Sequence, residues 1–309
     1  MEHKNEYDEH FKIILLGDNA VGKSCLMHTF CDSGFYLFDG YMDTMGVDQK
    51  IQKINAFNKC IQLRIWDASG APKLQKIVAS YLRTVDGALI CFDLTREDSL
   101  HHAREYVAQL RAVKKNVAMI LIGCKADLEQ RRAISGGQAK AIANEMGIDY
   151  LEVSSLKKEN TDLPFIRILT KIYILNQLTK IKPTLEEHFN NYLKLTRFKK
   201  HAHFFSEQAL SAHREDVLRE EYRLLFEKLF DCQSVEELAE FFRKIGELIE
   251  RADELYRQDN PFLNHFISSP LSKVLKHTLD ALTHRFAGMK GLPIAKEMLI
   301  QKNNSITII

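Results

Sequence analysis

Short apolar runs alternate with amphipathic stretches through about residue 180 of this 309-residue chain. Several of these runs are continuously apolar, which is typical of parallel strands that are buried on both faces. The predicted strands are residues 11–16, 60–66, 87–92, 117–122 and 150–153. Apolar residues recur at helical spacing between them, at Leu100, Ala103, Val107 and Leu110 and again over residues 163–175. The alternation predicts an α/β fold with a doubly wound, mostly parallel sheet.

The pattern changes near Pro183, and no strand pattern follows it. Three apolar stripes at helical spacing, over residues 217–230, 235–249 and 271–286, predict helices instead. We therefore predict an N-terminal extension over residues 1–9, an α/β domain over 10–180 and an all-helical domain over 183–309. Contiguous apolar faces are unfavourable in water and are normally buried against other parts of a protein. The helices are thus expected to pack on one another as an independent domain.

Composition narrows the class of protein. Hydrophobic residues make up 45% of the chain and charged residues 27%, values typical of a soluble globular protein. The net charge of +2 and the mixture of acids and bases argue against a nucleic-acid partner. The six cysteines contain no CxxC pair, so reduced thiols in a cytoplasmic location are expected. The sequence shows no secretory signal and no apolar run long enough to span a bilayer.

The first segment whose residues indicate a chemical function is a glycine-rich loop. Residues 17–24, GDNAVGKS, fit the pattern GxxxxGK[ST] and stand between a predicted strand and a predicted helix. In that context the backbone N–H groups of the loop can wrap phosphates at the N-terminus of a helix. Lys23 would reach the β- and γ-phosphates, and Ser24 would ligate Mg²⁺. We call residues 17–24 the phosphate loop.

The phosphate loop resembles that of Rab, Rho and Ras GTPases, and further matches follow in the order of that family. They are YMDTMGVD at 41–48, WDASG at 66–70, SYLR at 80–83, CFDLT at 91–95, GCKADL at 123–128 and EVSS at 152–155. The resemblance covers about residues 10–179 and is closest to the Rab type. It implies a P-loop NTPase domain with a six-stranded sheet, followed here by the all-α C-terminal domain.

The resemblance also implies a guanine-nucleotide site that binds GTP or GDP with Mg²⁺. The nucleotide-binding residues that it implies are Asn19, Ala20, Val21, Gly22, Lys23, Ser24, Cys25, Phe35, Thr44, Gly70, Cys124, Lys125, Asp127, Ser154 and Ser155. The implied metal ligands are Ser24, Thr44 and Asp67. Thr44 and Gly70 would contact the γ-phosphate, so its loss would release both loops and switch the protein. Asp127 would bind the N1–H and 2-amino groups of guanine and so exclude adenine.

Two departures from the family pattern concern the chemistry. Ala71 stands where the family has the glutamine that orients the attacking water, and Pro72 stiffens the loop after it. No catalytic side chain is then intact, so intrinsic GTP hydrolysis is expected to be very slow. Cys124 stands where the family has asparagine, and losing one or two neutral hydrogen bonds costs about 1–2 kcal/mol. Nucleotide binding is expected to survive that loss.

Two further departures concern partners. Phe35 and Thr44 are about two positions farther apart than is usual in the family, which alters the effector loop. No cysteine follows Cys232, so the prenyl anchor of Rab proteins is not expected. Protein partners in vesicle trafficking are expected at the switch regions 35–48 and 67–83. The helical domain is expected to provide targeting, with peripheral membrane contact through the basic stretch 194–203 as one form of it.

Two classes of function fit this sequence. The first is a GTP-binding, Rab-like switch or interaction module without a prenyl anchor. The alternative is a pseudo-GTPase scaffold that does not cycle and acts through its surface or its helical domain. A divergent eukaryotic protein and a bacterial effector that imitates host GTPases in the host cytosol fit the sequence equally well.

Overall fold

The structure is a computed structural model that describes residues 7–32, 44, 46–71, 75–114, 116–197, 206–229, 235–259 and 270–286. The chain divides into two compact units, Met1–Ile172 and Tyr173–Ile309. The strands lie in the first unit, and every described element that lies wholly in the second unit is a helix.

The first unit is built on six strands and the helices that connect them. The strands are β1 Glu9–Leu16, β2 Val47–Ala56, β3 Lys59–Ala68, β4 Gly87–Asp93, β5 Ala118–Cys124 and β6 Asp149–Glu152. The helices are α1 Lys23–Asp32, α2 Gln75–Leu82, α3 Glu97–Val113, α4 Gly136–Glu145 and the start of α5, Leu163–Arg197. The five strands predicted from apolar runs are confirmed to within a few residues, as are the helical stripes of α3 and α5.

The strands form one sheet in the order β2-β3-β1-β4-β5-β6. Only the β2–β3 pair is antiparallel, and the other four pairs are parallel. Every residue of β4 and β5 is buried, because parallel strands at the centre of such a sheet are covered on both faces. The predicted α/β class, with a mostly parallel six-stranded sheet followed by helices, is confirmed.

The carboxyl ends of the parallel strands meet along one edge of this sheet, where α/β proteins place their ligands. The segments that leave that edge are residues 17–22 after β1, 69–71 after β3, 94–96 after β4 and 125–128 after β5. Strand register aligns them, because Leu15 pairs with Asp67 and Asp93 pairs with Cys124. The sequence segments singled out for their chemistry therefore converge.

The second unit contains α6 Ser206–Leu229, α7 Val235–Asp259 and α8 Pro270–Phe286, and α5 extends into it. Helix α7 packs against both α6 and α8. The predicted stripe of α7 is buried at Leu238, Phe241, Ile245, Leu248 and Ile249. A hydrogen bond of 2.9 Å between the buried hydroxyls of Tyr222 and Thr278 joins α6 to α8. The three predicted helices are confirmed.

The helix α5 runs through Pro183 without ending there. The predicted domain boundary near Pro183 therefore falls inside a helix, and the two compact units divide ten residues earlier, at 172/173. The independence of a domain over residues 183–309 stays a prediction. Among the described residues, no helix is both long enough and apolar enough to cross a membrane.

Candidate nucleotide-binding site

The phosphate loop turns sharply between β1 and α1. A Cβ atom on Gly17, whose φ is +147°, would lie 2.1 Å from the carbonyl oxygen of Cys91, so only glycine fits there. Ala20 and Gly22 also have positive φ, +62° and +115°. The loop then enters α1 at Lys23. This backbone is the tight strand-to-helix turn that the glycine pattern predicts.

Lys23 is folded back into the phosphate loop. Its Nζ donates hydrogen bonds to the carbonyl oxygens of Gly17, at 2.8 Å, and Asp18, at 2.7 Å. The side chain is buried, and that burial lowers the pKa of its ammonium, although the nearby Asp67 carboxylate acts in the opposite direction. The ammonium is thus held at the centre of the loop rather than in solvent.

Three oxygen-bearing side chains from separate parts of the chain meet beside this loop. The Oγ of Ser24 donates to Asp67 Oδ2 at 2.5 Å and lies 3.1 Å from Thr44 Oγ1, which in turn donates to Asp67 Oδ2 at 3.3 Å. Burial raises the pKa of the Asp67 carboxyl. Its other oxygen, Oδ1, is buried and has no hydrogen-bond partner among the described residues. The three predicted metal ligands are therefore brought together.

The segment after β3 lies directly against the phosphate loop. A Cβ atom on Gly70 would stand 2.3 Å from the backbone nitrogen of Asn19, so this approach requires glycine. The next residue, Ala71, donates its backbone N–H to Ser69 Oγ at 3.3 Å. Ala71 presents only a methyl group at the position where the family has glutamine.

The other end of the site lies after β5 and β6. Ser154, which is fully buried, donates its hydroxyl to Asp127 Oδ1 at 2.6 Å and so fixes one oxygen of that carboxylate. Lys125 has a φ of +64°, and its Nζ forms a 2.6 Å salt bridge with the buried Asp93. This contact aligns the stem of Lys125 along the same edge of the sheet.

Cys124 is buried beneath the phosphate loop. A Cβ atom on Gly22 would lie 3.3 Å from Cys124 Cβ and 3.6 Å from its sulfur. A contact with the Cys91 thiol and burial both raise the pKa of Cys124, so it is a neutral thiol at physiological pH. The side chain at the asparagine position therefore packs on the loop but provides only a weak hydrogen-bonding group.

The remaining predicted site residues have simpler environments. Val21 is fully buried, whereas Cys25 and Ser155 are half-buried. Phe35 lies outside the described residues, as does most of the switch region 35–48. The described part of the switch region 67–83 consists of residues 67–71 and 75–83, which include α2.

A cluster that the sequence analysis did not predict lies on the outer side of the phosphate loop. His102 Nδ1 is 2.7 Å from Asp18 Oδ2, and Tyr106 donates its hydroxyl to Asp18 Oδ1 at 3.4 Å. Arg96 donates from Nη1 to the carbonyl oxygen of Asn19 at 3.3 Å. His102 and Tyr106 are one helical turn apart on α3, and Arg96 directly precedes the helix, but nothing in the sequence indicates that the phosphate loop is their partner.

Comparisons with known proteins agree with this geometry. A sequence model of the Ras family matches residues 12–174, just over half of the 309-residue chain. The chain belongs to the Ras family. Among similar proteins, Ras-related protein RABD2a of Arabidopsis thaliana is 38% identical over 168 residues, which cover 54% of this chain and 82% of the relative.

Two other relatives have similar identity and coverage. GTP-binding protein YPTM2 of Zea mays is 36% identical over 54% of this chain and 82% of its own length. Ras-related protein Rab-1D of Dictyostelium discoideum is 36% identical over 58% of this chain and 86% of its own length. The first unit is therefore a Rab-like small-GTPase domain, and the helical unit lies beyond the family match.

Proposed function

We propose that the Rab-like domain binds GTP and GDP with Mg²⁺ and acts as a switch or interaction module with very slow intrinsic hydrolysis. One observation carries this proposal: Ser24, Thr44 and Asp67 come from three separate segments and converge within 3.3 Å of one another beside the phosphate loop. A structural role for these oxygens alone does not account for the buried Asp67 Oδ1, which has no hydrogen-bond partner within the part of the chain that the structure describes.

The phosphate end of the site is suited to a polyanion. Of the three donors on the Lys23 ammonium, two bind the carbonyls of Gly17 and Asp18, which leaves one for a phosphate oxygen. The N–H groups of the loop and of the first turn of α1 add donors. Lys23 would bind the β- and γ-phosphates, and Gly70, which touches Asn19, would offer its N–H to the γ-phosphate.

The oxygen cluster fits Mg²⁺, which prefers hard oxygen ligands and binds through one or two carboxylates together with phosphates. Ser24 and Thr44 would ligate the ion directly, and Asp67 would hold it through Oδ1 or through water. A bound Mg²⁺ neutralises phosphate charge. Its positive charge would also favour the ionised form of Asp67, whose pKa burial raises.

The base end of the site is suited to guanine. The bond from Ser154 orients the Asp127 carboxylate, whose remaining lone pairs can accept from the N1–H and 2-amino groups of guanine. Adenine lacks that pair of donors. The stem of Lys125, held by Asp93, would cover one face of the base. With Cys124 instead of an asparagine, hydrogen bonding at the base end is weaker, but the phosphate contacts remain in place.

The switch regions 35–48 and 67–83 would bind protein partners. Because the relatives are Rab-type, we expect these partners to act in vesicle trafficking. Ala71 also supports a second candidate, a pseudo-GTPase scaffold that does not cycle. Single-turnover hydrolysis and a comparison of the GTP- and GDP-bound conformations distinguish the two candidates. We further propose that the helical region provides partner or membrane targeting.

Displacement of a fluorescent GDP analogue from the purified full-length protein tests nucleotide binding. Unlabelled GTP and GDP should compete in the presence of Mg²⁺, and ATP should not. Lys23→Ala and Asp127→Ala should each weaken binding about 10- to 100-fold, the value of a hydrogen bond to a charged group. Exposed neighbours provide controls, because Lys140→Ala and Glu129→Ala should bind like the parent protein.

The variant Asp127→Asn tests the reading of the base directly. Its amide oxygen can still accept from Ser154, which turns the NH₂ group toward the base. An NH₂ group repels the guanine donors and instead matches the 2-carbonyl of xanthine. We expect this variant to lose GTP binding and to gain binding of xanthosine triphosphate. Competition by ATP as strong as that by GTP in the parent protein would contradict the assignment of the base site.

A further inference from the structure

The start of α3 holds the outer side of the phosphate loop. His102 and Tyr106 bind the two carboxylate oxygens of Asp18, and Arg96 donates to the carbonyl oxygen of Asn19 at 3.3 Å. We call Arg96, His102 and Tyr106 the α3 clamp. Its residues lie 77 to 88 positions from their partners in the loop, and none of them belongs to the predicted nucleotide site.

The atom that Arg96 binds determines what it can do. The carbonyl of Asn19 and the N–H of Ala20 belong to one peptide group, and all described peptide bonds are trans. In a planar trans peptide the C=O and the N–H point in opposite directions. Because the carbonyl points outward to Arg96, the N–H of Ala20 points to the inner side of the phosphate loop, where a phosphate would lie.

The conformation of this peptide group needs support. Ala20 has a φ of +62°, in the left-handed region that residues with a Cβ atom adopt at a cost of about 1 kcal/mol or more. The backbone nitrogen of Asn19 is also in tight contact with Gly70. A hydrogen bond from a guanidinium to the Asn19 carbonyl holds the peptide group in this orientation from outside the loop.

The side chain of Arg96 is available for this contact. Arg96 stands at the N-cap position of α3, but its side chain makes no capping hydrogen bond. Its guanidinium also binds the Asp98 carboxylate, with Nη2 at 2.9 Å, and lies 3.9 Å from Asp18. These two acids orient the group, while Nη1 faces the loop.

We propose that Arg96 is a positioning residue for nucleotide binding, which orients and polarises the Asn19–Ala20 peptide so that the Ala20 N–H donates to a phosphate oxygen. The inference rests on the proposed function. A charged donor on the carbonyl strengthens the N–H of the same peptide, because linked hydrogen bonds polarise one another. Arg96 therefore acts on the phosphate through the peptide group and does not touch it.

The affinity of the full-length protein for GDP and GTP, with Mg²⁺ present, tests this inference. Arg96→Ala should weaken both by about tenfold, the loss of one charge-assisted contact. Arg96→Lys keeps a charged donor and should recover part of the loss. The control is Arg104→Ala on the same helix, whose side chain pairs with Glu145 at 2.7 Å and should not affect binding.

The amide resonance of Ala20 gives a readout that a general loss of stability would not change. Addition of GDP should move the Ala20 amide proton downfield in the parent protein and in Arg104→Ala, and much less in Arg96→Ala. Equal affinities and equal Ala20 shifts in the parent protein and Arg96→Ala would overturn the role of Arg96 and leave the proposed function standing. Failure of the parent protein to bind either nucleotide would remove both.

Discussion

At the residue scale, we propose that the rate of GTP hydrolysis is limited by a single side chain, Ala71. The methyl group of Ala71 can neither donate to nor accept from water, whereas a glutamine at this position could orient one. We expect Ala71→Gln to raise the single-turnover rate of GTP hydrolysis by about tenfold or more, as positioned polar groups do. The same substitution at the exposed Ala79 of α2 is the matched control and should leave the rate unchanged. A parent rate equal to that of an ordinary Rab protein would contradict this account of Ala71.

Cys124 provides a second prediction at this scale. Its thiol packs beneath Gly22 without a strong hydrogen bond to the loop. A carboxamide there can both donate and accept, so Cys124→Asn should tighten GDP binding by about tenfold. Cys31→Asn, near the far end of α1, should have no such effect. Weaker binding in Cys124→Asn, with the melting temperature unchanged, would show that the pocket has adapted to the thiol.

Site residues that could be predicted from the sequence differ from those found only in the structure in how local their interactions are. The phosphate loop could be predicted because its donors are contiguous and its glycines are required by close backbone contacts. Thr44 and Asp67 were predicted only through the family resemblance. The α3 clamp could not be predicted, because ordinary charged and aromatic residues on a helix surface carry no signal that a carbonyl of a distant loop is their partner.

The same contrast holds at the scale of elements. Strands β1, β3, β4, β5 and β6 each contain one of the apolar runs assigned in the sequence, and all five were predicted. Strand β2 was not assigned, because it is an edge strand with polar residues on both faces and with Ile51 exposed. Its hairpin turn has positive φ at Phe57 and Asn58, +56° and +58°, but lacks the usual Asn-Gly signal. Edge strands of this kind are defined by pairing rather than by burial.

Helix α5 allows a prediction about an element. Pro183 lies in the interior of this 35-residue helix and is exposed. Proline removes one backbone hydrogen bond there, at a cost of up to about 3 kcal/mol relative to alanine. Pro183→Ala should therefore raise the free energy of unfolding by about 1–3 kcal/mol in denaturant titrations. Glu187→Ala, on the same exposed stretch, should change it by only a few tenths; an equal effect of both would contradict the prediction.

The whole molecule combines a Rab-like domain with a helical region whose independence stays a prediction. Most apolar residues in the stripes of α6, α7 and α8 are buried, although Val217 and Leu224 of α6 are exposed, and α7 contacts both of the other helices. We expect residues 183–309, expressed alone, to be helical by circular dichroism and to melt cooperatively. Limited proteolysis of the full chain should leave two resistant fragments. A disordered spectrum would mean that these helices depend on the rest of the chain.

The central claim is that the Rab-like domain holds a guanine nucleotide and hydrolyses it very slowly. Identification of the nucleotide that co-purifies with the full-length protein tests this most directly. Chromatography of the denatured, gel-filtered protein should release close to one guanine nucleotide per chain, largely as GTP. GDP alone would keep the binding claim but contradict slow hydrolysis. An adenine nucleotide, or no nucleotide in a folded protein that also fails to take up GDP, would contradict the claim itself.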